Sequence, residues 1–472
     1  MIEEVSDLRR IGKGDGVKFV VGALIILLAF FLPTLGGLSR NGQLMIGVLL
    51  FAAFFWSTEP IPVEATSLLI MILPPLFGII TSSKVFSEFG NSAVFFLLGA
   101  FMLAAAIEKY GLHKRIALRM LDVFGYKPNI FLFGLFVVGG FLSFLMPEHA
   151  VAALLYPIVV NVLRTLELNP KESNFGIAAA LSLTFGTSIG SWGTLLGGAR
   201  NPLTIGILAQ RGIEIDFLEW MIMTTPVVVV SLPVIWFIVI KLYPPEVEKE
   251  DMKSVRKDLH SQVEELGTLS RGGILTAFVF SSTVFLWIIF SSTLGVAVVS
   301  LMGAISLFFF GLVDWEDIEK RVPWGIMLLY GGALTLGVSL TKTGAANWLA
   351  TNITGLAGGN NVLLVALLIV TGFLLTNSMS NTAAVAVLLP IGLEIAVSSG
   401  LNSVVTAFAI ALSGGGALLL IISTPSAAIA YSTGYFSSRD LFKAGTFALV
   451  ALVAIVLTMA LTYWQFASGL IT

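Results

Sequence analysis

The chain has 472 residues, 57% of them hydrophobic and only 11% charged, with a mean hydropathy of +0.96. A soluble domain carries about 25% charged residues, so this surface is not made for water. The net charge of −2 gives no sign of a nucleic-acid partner, and the absence of cysteine excludes disulfides, thiolate metal sites and cysteine nucleophiles.

Residues 1–15 hold four acidic side chains together with Arg9, Arg10 and Lys13. The first apolar run, 17–32, is therefore expected to be a retained helix rather than a cleaved signal. Further candidate spans lie at 44–56, 63–80, 93–107, 217–241, 275–290, 296–312, 325–341 and 441–466. They approach the about 20 apolar residues that a spanning helix needs, without the alternation of a barrel strand. Two pairs of apolar runs look different. Residues 130–145 and 151–163 flank Met146-Pro147-Glu148-His149-Ala150, and residues 363–375 and 383–397 flank Thr376-Asn377-Ser378-Met379-Ser380-Asn381-Thr382. Each arm is too short to cross alone, so 128–165 and 361–397 are expected to be re-entrant hairpins with polar tips. Segments 175–211 and 402–436 break midway, near 186–201 and 413–427. Unwound backbone at membrane depth survives only where protein or a water-filled cavity satisfies it, so these interruptions point to a site.

The expected fold class is an all-α polytopic membrane protein with about eleven transmembrane helices plus the two hairpins. With the N-terminus in the cytoplasm, most Lys and Arg fall inside, and only Arg40, Lys84, Arg211 and Lys342 fall outside. Residues 243–271 read as a cytoplasmic linker between the halves 1–242 and 272–472. Those halves share a register. Lys109 and Gly111 align with Lys342 and Gly344, an offset of 342 − 109 = 233. The same offset pairs Gly99-Ala100 with Gly332-Ala333, Ser143 with Thr376, and Pro147-Glu148-His149 with Ser380-Asn381-Thr382. The two passages start on opposite sides of the membrane, which predicts an inverted repeat with substrate bound near the midplane.

These motifs resemble the divalent anion/sodium symporter family, dicarboxylate and sulfate carriers of a wider ion-transporter group, over nearly the whole chain. Residues 95–115 are similar to the family's fourth span and the surface helix that follows. Ser380-Asn381-Thr382 resembles its hairpin-tip signature. Residues 188–202, ending in Arg200-Asn201-Pro202, resemble its glycine-rich stretch, which closes on Gly-Thr-Pro-Pro-Asn. Ser423-Thr424-Pro425-Ser426-Ala427 resembles the second-half counterpart. The resemblance implies that the two tips hold the substrate carboxylates and that each half frames a sodium ion. Carried over, the substrate would meet Pro147, Glu148 and His149, Ser380, Asn381 and Thr382, and Arg200, Asn201, Thr424 and Pro425. Thr376, Asn381 and backbone near Ser423 would frame the second-half ion, with Ser143 left from the first. A homodimer with scaffold and transport domains in the inner membrane is likewise implied.

The chain departs from that pattern at its first tip, where Pro-Glu-His replaces Ser-Asn-Thr, at Arg200, which replaces a proline, and at Ala427, which replaces an asparagine. An ionisable residue at a helix centre costs roughly 2.5–3.5 kcal/mol by insertion scales, so three together imply a use. Either Glu148 carries a proton, or Arg200 and His149 neutralise it. Arg200 contacts the anion or Glu148, or else snorkels toward the interface; His149 joins the site or only caps the tip. Fixed positive charge in place of the first sodium would favour exchange of one anion for another; the alternatives are sodium- or proton-coupled symport, and sulfate as substrate. Glu64, Thr66 and Ser67 read as packing and interface features. No His-Glu-x-x-His or Gly-x-Ser-x-Gly motif supports an enzyme, and the unlike tips argue against a symmetric channel.

Overall fold

The computed structural model describes residues 13–471, and among these the regular secondary structure is entirely helical. Among the described residues, eight helices are long and apolar enough to cross a bilayer. The candidate spans become helices close to their expected bounds, such as Arg40–Thr58, Ser92–Lys109, Phe217–Leu242 and Trp324–Lys342. The span at 63–80 stops earlier, as Val63–Leu76, because Pro74 and Pro75 remove donors and Gly78 turns the chain at φ 68°. The span at 441–466 divides into Ser438–Leu461 and Tyr463–Ile471. Its break falls at Thr462, whose hydroxyl donates back to the Thr458 carbonyl at 2.6 Å, a bond that bends helices. Tyr463 and Trp464 then pin the short helix by donating to the carbonyls of Ile222 and Met223.

The first hairpin consists of Pro128–Leu142 and Glu148–Thr165, the second of Asn361–Ser378 and Asn381–Ser399. The expected reason for them needs correction. The second pair has 18 and 19 residues, about 27–29 Å at 1.5 Å per residue, which is as long as a span. Arm length therefore does not mark these segments as hairpins; their turns do. The second turn is only Met379-Ser380, and the side chain of Ser380 caps the following helix by accepting from Ala383 N at 3.3 Å.

The broken segments fall where the polar and glycine runs lie. Asn174–Gly190 and Arg200–Ala209 flank an unwound stretch, as do Ser403–Ser413 and Pro425–Ser432. The first stretch obtains its hydrogen bonds from buried side chains. Trp220 Nε1 donates to Trp192 O at 3.0 Å, and Thr224 Oγ1 donates to Gly193 O at 3.1 Å. Asn201 Nδ2 donates to the carbonyls of Ser191 and Thr194, both at 2.7 Å. Such partners make irregular backbone tolerable in the buried interior. The linker region is more ordered than its polarity suggests. Met252–Glu265 is a helix with Met252, Val255 and Leu259 buried, and Arg115 donates to the carbonyls of Leu266 and Gly267 just beyond it.

Small residues set the closest packing. Gly190 lies on Gly140, so a methyl at 190 would overlap the Gly140 backbone, and Gly186 faces the backbone of Phe136. The helices Pro128–Leu142 and Asn174–Gly190 thus meet backbone to backbone, where dispersion rather than the hydrophobic effect holds them. Gly190→Ala therefore pushes two backbones apart. We expect a loss of roughly 1–3 kcal/mol, read as a lower thermal midpoint in detergent, while Gly16→Ala, within the helix Lys13–Phe31 and with nothing within 4 Å, does not lower the midpoint.

Candidate functional site

A cavity of about 370 Å³ opens where the hairpin tips meet the broken helices. Its wall is built from the first residues of six helices: those starting at Val63, Glu148, Arg200, Trp324, Asn381 and Pro425. Helix N-termini present unpaired N–H groups and the positive end of the helix dipole, about half a charge each. Six such ends around one space favour an anion. Four of them belong to the motifs picked out in the sequence. The ends at Val63 and Trp324 complete the ring.

Of the residues expected to bind substrate, Pro147, Glu148 and His149, Ser380, Asn381 and Thr382, and Arg200, Thr424 and Pro425 all line this cavity. Ser423 does so as well. Asn201 does not; it is buried behind the wall, clamping the unwound stretch from within. Thr376 and Ser143 are also buried behind the tips.

The two tips touch. Asn381 Nδ2 donates to Glu148 Oε1 at 3.1 Å, and Thr376 Oγ1 donates to Asn381 Oδ1 at 2.6 Å. On the other side of the carboxylate, Ser191 Oγ lies 2.9 Å from Glu148 Oε2 and accepts from Arg200 Nη2 at 2.7 Å. A continuous polar chain thus runs Arg200–Ser191–Glu148–Asn381–Thr376, across both tips and one broken helix. The expected neutralisation of Glu148 takes a different form here. Arg200 reaches it through the Ser191 hydroxyl, and His149 stands on the cavity wall without a hydrogen-bond partner among the described residues. Arg200 does not snorkel; it is 1% exposed, one of the largest fully buried side chains. Its guanidinium fits between Gly198 and Gly415, where an added methyl would overlap it in either place. Arg200 Nε has no partner.

Two groups of the site are not picked out by the sequence: Ser191, buried behind the cavity wall, and Glu64, on it. Ser191 lies inside the glycine-rich stretch, where its neighbours drew attention instead; a hydroxyl beside a helix break was the available signal. Glu64 was read as an interface feature, yet it lines the cavity. The signal was its place in the first helical turn after Pro60-Ile61-Pro62, in a helix otherwise almost wholly apolar.

Sodium needs hard, neutral oxygens. Ser143 Oγ, Ser188 Oγ and Asn201 Oδ1 are buried without hydrogen-bond partners, on the three segments that meet at the first tip. That donor set suits a sodium ion. On the second side, Thr376 Oγ1 and Asn381 Oδ1 are already paired with each other, and Ser423 Oγ donates to Leu420 O at 2.5 Å. A group of three or more His, Cys, Asp or Glu side chains that could hold a metal ion does not occur among the described residues.

Ser191→Ala removes the hydroxyl between Arg200 and Glu148 and leaves both buried groups short of a partner. The unmet pairing costs on the order of 1–3 kcal/mol, so we expect a lower thermal midpoint in detergent together with anion binding weakened about tenfold or more, as read by calorimetric titration.

The sodium:sulfate symporter transmembrane region family matches residues 15–470. The sodium-dependent dicarboxylate transporter SdcS of Staphylococcus saprophyticus is 30% identical over 479 aligned residues, covering 94% of this chain and 91% of that one. SdcS of Staphylococcus aureus strain USA300 is 29% identical, covering 96% and 91%. Among solved structures, the YdaH transporter of Alcanivorax borkumensis shares the fold at a TM-score of 0.54 and 10% identity, over 91% of this chain and 99% of that one. The chain is therefore a multi-pass membrane transporter, not an enzyme, and it belongs to the divalent anion/sodium symporter family.

Proposed function

We propose that this chain is a secondary active transporter of dicarboxylate anions such as succinate, malate, fumarate or 2-oxoglutarate. The observation that carries the reading is the contact of the two hairpin tips, Asn381 to Glu148, on a cavity ringed by helix N-termini. The name of the SdcS relatives supports the same substrate class. Arg200 suits a planar carboxylate because its fork of donors matches two oxygens at once, and it uses only one donor within the polar chain. Ser380, Thr382 and Thr424 add neutral donors. The substrate's negative charge then meets helix ends and a guanidinium rather than bulk water.

Transport follows alternating access, with the hairpins and broken helices moving as a unit against the outer spans. Glu148 and Asn381 are separated by 233 residues, the offset of the internal register, which supports an inverted repeat joined by the 243–271 linker. The N-terminus lies in the cytoplasm, and two chains form the working dimer. Arg200 is a cation that cannot leave with the substrate. A carrier so built returns empty with difficulty, because the buried guanidinium must then cross with only Glu148, reached through Ser191, as its counter-charge. Anion exchange is accordingly the favoured coupling.

A specific observation favours sodium coupling as the second reading. The unpaired oxygens of Ser143, Ser188 and Asn201 would hold a sodium ion on the first side, while Thr376, Asn381 and backbone near Ser423 would frame a second one once the Thr376–Asn381 pairing opens. Such an ion would supply positive charge beside the substrate that departs with it. Uptake of labelled succinate into proteoliposomes separates the two. Exchange predicts uptake that rises severalfold with internal dicarboxylate and persists without sodium. Uptake that requires external sodium and ignores internal dicarboxylate contradicts exchange and leaves symport. Absence of succinate uptake under every condition, with uptake of sulfate instead, contradicts the substrate class.

A further inference from the structure

Glu64 is the one carboxylate on the cavity wall that the polar chain does not use. It stands on Val63–Leu76, which packs against Trp324–Lys342 through Gly332, whose Cα side lies against Ser67. The carboxylate lies across the first turn of the neighbouring helix: a methyl at Gly325 would overlap Glu64 Oε1. Both helices begin without a side-chain cap, at Pro62 and Pro323. Glu64 therefore sits in the first turn of its own helix and against the first turn of another, beside two positive dipole ends. It has no hydrogen bond or ion pair among the described residues. This contrasts with Glu148, which is held by Ser191 and Asn381.

We propose that Glu64 is a charge-selectivity residue of the anion site. Its fixed negative charge on the wall formed by Val63–Leu76 and Trp324–Lys342 opposes every negative charge brought into the cavity. The opposition grows with the charge of the ligand. A dianion held at the hairpin tips and Arg200 tolerates it, whereas a third carboxylate of the same chain length adds repulsion without adding a new donor. Glu64 does not build the tips or bind the substrate; it sets how much charge the cavity accepts. Size alone would not give this behaviour, because a methylene and a carboxylate of similar reach would then be rejected alike.

The inference rests on the dicarboxylate reading, and the test separates the two failures. Proteoliposomes carrying wild type, Glu64→Gln, Glu64→Ala or Glu64→Asp would be assayed for labelled succinate uptake in competition with unlabelled succinate and with tricarballylate, a tricarboxylate on a similar carbon chain. The quantity read is the ratio of the two inhibition constants, which does not depend on how much protein is active. Neutralisation by Gln or Ala is expected to lower the tricarballylate-to-succinate ratio by roughly threefold or more, the size expected of one partly screened charge acting across a small cavity. Asp is expected to keep the wild-type ratio. A ratio unchanged in both neutral variants, or both constants shifted by the same factor, overturns the charge role and leaves Glu64 as a structural partner of two helix ends. Wild type that takes up no succinate overturns the substrate class instead.

Discussion

Everything at the centre of this molecule follows from the cost of unpaired polarity inside a bilayer. A helix that begins at membrane depth exposes N–H groups with no water to meet them. Six helices begin around one cavity, so the positive ends of six helix dipoles are gathered in one place rather than spread through lipid. The gathering is stable only if something negative or hydrated occupies the space. The proposed anion site is thus the consequence of interrupting these helices, and on that proposal the carboxylates of Glu148 and Glu64 offset part of the positive potential between substrates.

The rest of the architecture serves to hold those interruptions still. Trp220 and Thr224 bond the carbonyls of the first break, Asn201 locks its two ends together, and Gly190 against Gly140 brings the hairpin arm close enough for the tip to reach the break. Within that frame the two tips are chemically unlike. The second keeps Ser380-Asn381-Thr382, whose Asn381 side chain links Thr376 to Glu148. The first keeps a carboxylate, tied through Ser191 to Arg200. Gly198 and Gly415 leave room for the guanidinium, so a residue of the first half is packed against the break of the second. The proposed exchange of substrate for substrate suits such a site, because Glu148 offsets only part of its positive potential and an anion supplies the rest.

Much of this was legible in the sequence because polar residues in an apolar chain are conspicuous. Pro147-Glu148-His149, Arg200, Ser380-Asn381-Thr382 and Thr424-Pro425 stood out on cost grounds and indeed meet at the cavity. Breaks were readable for the same reason, since glycine, serine and threonine clusters cannot continue an apolar span unnoticed. What stayed hidden depends on distance in space. Nothing in the spacing says that Ser191 stands between Arg200 and Glu148, or that Asn201 faces the broken backbone instead of the substrate. The sequence points to an interface role for Glu64 because helix ends usually lie near the membrane surface; here the helix begins at the cavity. The division at Thr462 was missed because no proline or glycine marks it.

The central claim is that both tips and Arg200 form one anion site. Titration of succinate into the purified protein tests it most directly, comparing wild type with Asn381→Ala and Arg200→Gln at equal thermal stability. The account predicts one saturable binding event per chain in the wild type, and its loss in each variant. Full binding retained in both variants would contradict it.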